Sequence, residues 1–292
     1  METKQVSAPR RRVAAIHDIS GFGKCSLTVA LPILSAACIE TACMPTAVLS
    51  THTGDFRGFT YRDLTSDLAS FGHHWASLGM RFNAIYTGFL GSPKQASLIS
   101  ALIDRFQDGK TLVCVDPAMA DGGKLYKVFD GTMIDAMRRL AAKADVLMPN
   151  MTEAAFLLGE PYHDGPYDKA AIQKMVRGLA DLGAKQVVLT GVHYDERELG
   201  CACYDARTGV FHDVLGQYIP KHFHGTGDVF ASFLVAALLN GYALDDAARF
   251  AVTLTCLAIE KTIAVGTDPR EGVAFEDVLP KMMAMLAEKR AQ

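Results

Sequence analysis

Short apolar segments alternate with longer segments of helical periodicity along most of the chain. Short apolar runs that end at a polar or turn residue predict buried strands, and longer stretches with apolar residues three or four apart predict helices. The predicted strands are 13–17, 46–50, 84–87, 111–115, 146–148, 186–190, 199–204 and 209–214. The predicted helices are 26–37, 63–78, 93–105, 131–142, 152–158, 168–182, 228–240, 244–261 and 275–289.

This alternation predicts an α/β fold, a three-layer sandwich in which helices cover both faces of a mostly parallel sheet. The last two strands are an exception, since the turn at Arg207-Thr208-Gly209 indicates a hairpin. No linker or change in composition divides the sequence, so we expect one domain over residues 12–292 after a flexible tail of residues 1–11. The stretch 39–62 is expected to form a small lid over one edge of the sheet.

Polar or turn residues follow most of the predicted strands, at the point where each strand ends. They are His17-Asp18, Thr87-Gly88, Asp116-Pro117, Pro149-Asn150 and Thr190-Gly191. Because ligands of such sheets bind beyond the carboxyl ends of the strands, we expect the functional site along this edge.

Composition excludes several classes of protein. The 292 residues are 50% apolar and carry a net charge of −3, which gives no broad basic surface for nucleic acid. The 7 cysteines include no Cys-x-x-Cys pair, which argues against a disulfide framework and favours a reduced, cytoplasmic protein. The longest apolar stretch, residues 230–239, is well short of the roughly 20 residues of a membrane span, so no membrane partner is expected.

The sequence Gly225-Thr226-Gly227-Asp228 precedes an apolar predicted helix. Unpaired backbone N–H groups at a helix start attract anions, and glycines let an anion approach the backbone closely. Asp228 could then accept the proton of a hydroxyl group that attacks a bound phosphoryl group. An ordinary helix N-cap by Thr226 or Asp228 explains the same four residues equally well in isolation.

A second candidate is Asn150-Met151-Thr152-Glu153, which follows a predicted strand. Glu153 could hold a water molecule of Mg²⁺, with Asp116 and Asp121 at the same edge. The alternative is structural, because Asn followed three residues later by Glu nearly matches a capping box. The glycines at 21–23 fit neither a P-loop nor a dinucleotide-binding pattern, and Cys25 is more typical of packing than of a nucleophile.

Together these stretches resemble the ribokinase superfamily, through Gly225-Thr226-Gly227-Asp228, Asn150-x-x-Glu153 and Asp116-Pro117. Within it, Ser50-Thr51-His52-Thr53-Gly54 and Thr87-Gly88-Phe89-Leu90-Gly91-Ser92 resemble pyridoxal kinases. The resemblance covers about residues 13–261. It implies a ribokinase-like fold, a cytoplasmic homodimer, and ATP-dependent phosphorylation of the 5′-hydroxymethyl group of a B6 vitamer in the salvage pathway. ATP and Mg²⁺ are the implied cofactors, with K⁺ as an additional candidate.

The resemblance also implies roles for individual residues. Asp228 would be the general base, and the amides of Gly225, Thr226 and Gly227 would form the anion hole. The remaining residues would bind the ligands. The B6 ring would be bound by Asp18, His52, Thr53 and Phe89, ATP by Asp116, Asn150, Thr190 and Lys221, and the metal by Glu153 and Asp121. The segment 218–224 is also expected to contact ATP.

The sequence departs from the pattern at Asp18, where well-studied pyridoxal kinases have Ser. A carboxylate there would favour a protonated ring nitrogen or a cationic amine. Two alternatives to a B6 kinase stay open: a hydroxymethylpyrimidine kinase of thiamine synthesis, and a non-catalytic nucleotide or vitamer sensor. Retention of both Asp228 and Glu153 argues against the sensor, since binding alone needs no base.

Overall fold

The computed structural model describes residues 11–291. Its strands are β1 Arg12–Ser20, β2 Glu40–Leu49, β3 Tyr61–Asp63, β4 Ala84–Thr87, β5 Leu112–Val115, β6 Ala120–Asp121, β7 Lys124–Leu125, β8 Val146–Leu147, β9 Gln186–Val192, β10 Glu198–Asp205 and β11 Val210–Gln217. Its helices are α1 Leu27–Ala36, α2 Thr65–Ser77, α3 Pro93–Phe106, α4 Gly131–Ala141, α5 Met151–Leu158, α6 Lys169–Asp181, α7 Thr226–Leu239, α8 Leu244–Val265 and α9 Leu279–Ala291. Single 3₁₀ turns cover Pro269–Glu271 and Phe275–Val278.

A 9-stranded sheet in the order β11-β10-β9-β8-β5-β4-β1-β2-β3 forms the middle layer. The six strands from β9 to β2 in this order are parallel, whereas β3, β10 and β11 pair antiparallel. One hydrophobic cluster packs α1, α7 and α8 on one face, and a second packs α3, α4 and α6 on the other. The predicted three-layer α/β fold and the hairpin of β10 and β11 are therefore confirmed.

The strand order reverses between β1 and β4. The chain leaves β1 through α1 to β2 on one side, and it later returns to β4 on the other side. Connections that diverge in this way leave a crevice at the carboxyl ends of the two strands, which is the usual ligand position in open α/β sheets. Asp18 in β1 lies beyond the last β1 residue that pairs with β4, Ile16.

The predicted lid at 39–62 is wrong for its first part, because Glu40–Leu49 is a strand of the main sheet. Pro45 concealed this strand in the sequence, since proline cannot donate a ladder hydrogen bond. In the structure β2 pairs with β1 along its length and with β3 only at Ala47–Leu49, so Pro45 lies on a free edge where no donor is needed. Within this stretch, Ile39 and residues 50–60 lie outside the strands.

Several predicted boundaries also change. Strand β9 continues past Thr190-Gly191 to Val192, and the predicted helix 275–289 starts as a 3₁₀ turn. The hairpin of β6 and β7 was not predicted. The predicted tail falls on residues outside the described range, except Arg11, which donates a 2.8 Å hydrogen bond to Asn240 and so belongs to the folded chain.

Within residues 11–291, no helix is both long enough and apolar enough to cross a membrane.

Candidate active site

The glycine-rich stretch forms the start of α7, and no side chain of the described residues caps this helix. Gly225 is the N-cap residue, in the left-handed region with φ 74°, and α7 begins at Thr226. The alternative of an N-cap by the side chain of Thr226 or Asp228 therefore does not describe this helix. Its first backbone N–H groups keep the partial positive charge that attracts an anion.

Gly225 is also required by close packing against the loop that precedes α1. A Cβ atom at Gly225 would lie 1.9 Å from the carbonyl oxygen of Lys24, and the positive φ adds strain for any other residue. By contrast, a Cβ at Gly227 would meet no atom within 4 Å. The two glycines thus serve different purposes: Gly225 permits the fold, and Gly227 leaves open space in front of the helix.

Asp228 lies in the first turn of α7, half-buried and beside the α1 loop. The pKa of Asp228 is raised to about 7, chiefly by burial; the backbone N–H of Ser26 opposes the shift, and the nearby Asp18 adds to it. Ser26 itself has a strained φ of 52°. Strain of this kind is concentrated at functional sites. A carboxyl with a pKa near neutrality suits a general base.

Asp116 lies near both Asp228 and Glu153. Burial raises the pKa of Asp116 well above its usual range, and the nearby Glu153 and Asp228 carboxyls add to the shift. Burial likewise raises the pKa of Glu153, which is 2% exposed. The carboxyls of Asp18, Asp228, Asp116 and Glu153 thus form a row, each close enough to the next to affect its ionisation, which we term the carboxylate row.

The capping box considered for Asn150-x-x-Glu153 is present. The Asn150 side chain accepts from the Glu153 N–H at 2.9 Å, and Glu153 Oε2 accepts from the Asn150 N–H at 2.9 Å. Glu153 Oε1 accepts from the Met119 N–H at 3.0 Å, so this carboxylate also links α5 to the loop after β5. Glu153 therefore has a structural function whatever else it does.

No cation of the described residues neutralises the carboxylate row, since none of the ion pairs within 11–291 includes its four members. Buried carboxylates are normally paired or bound to a metal. Within the same residues, no three His, Cys, Asp or Glu side chains form a closed metal site. The carboxylate oxygens of Asp116 and Glu153 are of the hard type that Mg²⁺ prefers as ligands.

The predicted B6-ring residues lie around the edge where β1, β2 and β4 end. His52 is buried, with Nε2 donating to the Arg270 carbonyl at 2.7 Å and Nδ1 accepting from the Gly54 N–H at 3.2 Å. Both ring nitrogens are thus occupied, and the ring packs against Phe56 and His224, with ring centroids 4.8 and 4.9 Å away. Thr53 is half-buried next to it, and the Phe89 ring stacks on Phe129 with centroids 5.4 Å apart.

The predicted ATP and metal residues are not all equally close to the carboxylate row. Asp121 is exposed on β6 but lies near enough to Glu153 to raise its pKa. The backbone of Asn150 forms an isolated parallel β-bridge with Thr190. Thr190 donates to the Pro149 carbonyl at 3.3 Å. Lys221 is exposed, with Nζ 5.2 Å from the centre of the Phe223 ring. It forms no hydrogen bond or ion pair with the carboxylate row.

Three residues of the site carried no sequence signal. The hydroxyl of Tyr126 lies among the carboxylates, since burial and then Glu153, Asp121, Asp116 and Asp228 raise its pKa. Tyr61 lies near Asp18, since burial, then Asp63 and then Asp18 raise the Tyr61 pKa. Ser26 directs its backbone N–H to Asp228. None of these three residues belongs to a short sequence motif, so their proximity to the carboxylates becomes apparent only in the folded structure.

Two clefts adjoin the end of β11 and the segment that follows it. The larger, of about 740 Å³, is lined by polar and aromatic residues that include Asn150, Asp121, Asp164, Glu196 and Tyr218. The smaller, of about 320 Å³, lies between β11 and α8 and is lined by the apolar Val214, Val252 and Leu257 together with the charged Arg249 and Glu260.

A carboxyl beside an uncapped helix start, in an α/β fold with a row of carboxyls that no cation pairs, is the arrangement expected of a kinase that phosphorylates a hydroxyl group. The chain belongs to the phosphomethylpyrimidine kinase family, whose model matches residues 42–272. The similarity to pyridoxal kinases of the ribokinase superfamily, predicted from the sequence, is also confirmed, because solved structures of both kinds resemble it along nearly its whole length.

Three similar proteins illustrate the range of the family. A putative phosphomethylpyrimidine kinase from Bacteroides thetaiotaomicron, crystallised with pyridoxal, is 38% identical with a TM-score of 0.90, over 94% of this chain and 96% of that one. Pyridoxal kinase from Lactobacillus plantarum is 32% identical with a TM-score of 0.87, over 96% and 99%. A hydroxymethylpyrimidine/phosphomethylpyrimidine kinase of Bacillus subtilis is 27% identical over 201 residues, 68% of this chain and 71% of that protein.

Proposed function

We propose that the protein transfers the γ-phosphoryl group of ATP to the 5′-hydroxymethyl group of a B6 vitamer, in the salvage of vitamin B6. The observation that carries this proposal is the position of Asp228 at the uncapped start of α7, where its pKa is raised to about 7. Two similar structures support the choice of substrate, one named a pyridoxal kinase and the other crystallised with pyridoxal.

In this proposal each end of the carboxylate row has its own task. Asp228 accepts the proton of the attacking hydroxyl, and the first backbone N–H groups of α7 hold the phosphoryl group. Asp116 and Glu153 would hold Mg²⁺, the latter through water because backbone N–H groups already bond both its oxygens. The metal, when bound, offsets the negative charge of the phosphates.

The groove between β11 and α8 is the better place for the adenine ring. Its lining by Val214, Val252 and Leu257 suits a flat apolar ring, and it adjoins the segment 218–224 expected to contact ATP. The larger cleft, which holds Asn150 and Tyr218 of the expected ATP residues, is the alternative position for the nucleotide. A homodimeric state and a cytoplasmic location stay predictions, the first of which gel filtration with light scattering would test.

A hydroxymethylpyrimidine kinase is the second candidate, favoured by the family model and by the Bacillus subtilis relative. A panel assay separates the two. ADP release is measured with pyridoxal, pyridoxine, pyridoxamine, hydroxymethylpyrimidine and ribose, each at several concentrations. A B6 kinase shows the highest kcat/KM with a vitamer, whereas a preference for hydroxymethylpyrimidine moves the assignment to thiamine synthesis. ADP at background level with every acceptor would support the sensor instead.

A further inference from the structure

The loop between β2 and β3, residues 50–60, lies against the chain that leads into α7. His224, the residue immediately before the N-cap of α7, donates its Nε2–H to Asp55 Oδ2 at 2.9 Å. The His224 ring also packs on His52, with ring centroids 4.9 Å apart. A Cβ atom at Gly54 would lie 2.6 Å from the His224 ring, so glycine permits this close approach. Asp55 therefore lies next to the helix start at which we place the phosphoryl group.

Several basic groups surround the carboxylate of Asp55. The His222 ring lies edge-on to that of His224, with centroids 5.3 Å apart. The pKa of Asp55 is lowered by His224 first and then by His222 and Lys127, so all three are near the carboxylate. Lys127 directly follows Tyr126, whose hydroxyl is near the carboxylate row. Basic groups of two different segments, each adjoining the site, thus converge on one aspartate.

The contact between Asp55 and His224 is of a kind that can open. The Asp55 side chain is 72% exposed and that of His224 is 22% exposed, and exposed ion pairs contribute little to stability. The backbone of Asp55 is in the left-handed region, with φ 44°, a conformation that persists only where its surroundings hold it. Solvent, and hence an anion from solvent, can reach the two side chains.

We propose that Asp55 occupies, in the free protein, the basic groups that contact the terminal phosphates of the nucleotide, and that ATP displaces it. This inference rests on the ATP-dependent transfer proposed above. A triphosphate carries more negative charge than one carboxylate and offers more oxygens, so it binds the donors of His224 and His222 more strongly. Asp55 has to move because its charge repels the phosphates. His224 and His222 are thereby phosphate-contacting residues, and Asp55 is a competitor that weakens nucleotide binding.

The test compares nucleotide binding by wild type and Asp55→Asn, measured by isothermal titration calorimetry with Mg²⁺ and without an acceptor. The ligands are an ATP analogue with an imido group between its β- and γ-phosphates, and AMP, which lacks both of these phosphates. Asn keeps the shape of Asp55 and tolerates a positive φ, but it carries no charge. We expect Asp55→Asn to bind the ATP analogue about two- to fivefold more tightly than wild type, because an exposed pair is a weak competitor. Its affinity for AMP should be unchanged.

His224→Phe tests the other partner of the pair. Phe keeps a ring to pack on His52 and loses the N–H donor, so the ATP analogue should bind about threefold or more weakly, with AMP unaffected. In the double variant, Asp55→Asn should bring a smaller gain than in wild type, since His224 is no longer there to compete for. A loss of equal size for both nucleotides would assign His224 to the shape of the loop and overturn its phosphate contact.

Asp104→Asn is the matched control. Asp104 is also an exposed aspartate, at 64%, and it pairs with Lys143 at 2.6 Å near the carboxyl end of α3, at the opposite edge of the sheet from the site. This variant should leave both affinities unchanged, and thermal unfolding confirms that each variant is folded. Wild-type affinity of Asp55→Asn for the ATP analogue overturns the inference, and so does a gain that AMP shares.

The inference and the proposed function fail in different ways, because this test uses no acceptor. If Asp55→Asn shows the expected gain but no B6 vitamer is phosphorylated, the proposed function is wrong and the role of Asp55 stands. If vitamers are phosphorylated and Asp55→Asn binds the ATP analogue as wild type does, the proposed function stands and the role of Asp55 is wrong. A wild type that binds neither nucleotide overturns both.

Discussion

Replacing Asp228 with Asn should abolish catalysis and stabilise the fold. Burial raises the pKa of this carboxyl from 3.8 to about 7, so the folded protein holds the proton more tightly than the unfolded chain. Stability from this group is therefore present at low pH and is lost as the pH rises from about 4 to about 7. The difference is worth about 4 kcal/mol at most, and since Asp228 keeps some contact with solvent we expect about 1–3 kcal/mol.

Urea unfolding followed by the fluorescence of the single tryptophan, Trp75, which is buried on α2, measures this effect. At pH 8 Asp228→Asn should be more stable than wild type by about 1–3 kcal/mol, and the gain should shrink towards pH 4.5. The exposed Asp181→Asn, at the end of α6, is the control and should show no such pH-dependent gain.

Activity provides the second measurement on the same variant. Wild-type kcat/KM should rise with pH through about 7, as Asp228 loses its proton in the free enzyme. In Asp228→Asn the turnover at pH 8 should fall by about 10²–10⁴-fold with ATP binding retained. Wild-type turnover in this variant would refute the assignment of the base, and unchanged stability at pH 8 would refute the burial of a charged carboxylate.

Further expectations concern the two glycines, the capping box and the thiols. Gly225→Ala should lower the unfolding free energy by more than about 2 kcal/mol, because its Cβ would overlap the Lys24 carbonyl, whereas Gly227→Ala should leave stability unchanged or raised in the same denaturation assay. Unlike Asp228→Asn, Glu153→Gln should cost about 1 kcal/mol by thermal unfolding, because the amide leaves one of the two backbone N–H groups bonded to Glu153 without an acceptor. The same variant should raise the Mg²⁺ concentration needed for half-maximal activity, and an unaltered Mg²⁺ requirement would restrict Glu153 to its capping function. Iodoacetamide at pH 8 should modify the exposed Cys38 and spare Cys25, whose thiol pKa is raised well above its usual range by burial, as mass spectrometry of peptides would report.

The fold was predictable because it depends on local patterns that repeat. Apolar runs ended by polar residues located most of the parallel strands, and the turn before Gly209 located the one long hairpin. The first half of β2 was missed because Pro45 and the polar Thr41 disguise an edge segment that is held by β1 alone. Edge strands are the elements in which such residues are tolerated, so a sequence pattern identifies them least well.

The site was predictable as a set of strand ends and not as a geometry. The residues of Gly225–Asp228 and Asn150–Glu153 stand out in the sequence, and the structure joins them into the carboxylate row. The bond from His52 to the carbonyl of Arg270 spans 218 residues, and the approach of Asp18 to Asp228 spans a similar part of the chain. No local spacing encodes contacts of this range, so they appear only once the sheet is assembled.

The identity of the phosphorylated product is the most direct test of the proposed function. The wild-type protein is incubated with ATP and Mg²⁺ and with equal concentrations of pyridoxamine, pyridoxine, pyridoxal and hydroxymethylpyrimidine in one vessel, and the products are separated and identified by mass spectrometry. A B6 kinase yields vitamer 5′-phosphates as the main products. Phosphorylated hydroxymethylpyrimidine as the main product, with the vitamers unchanged, would contradict it.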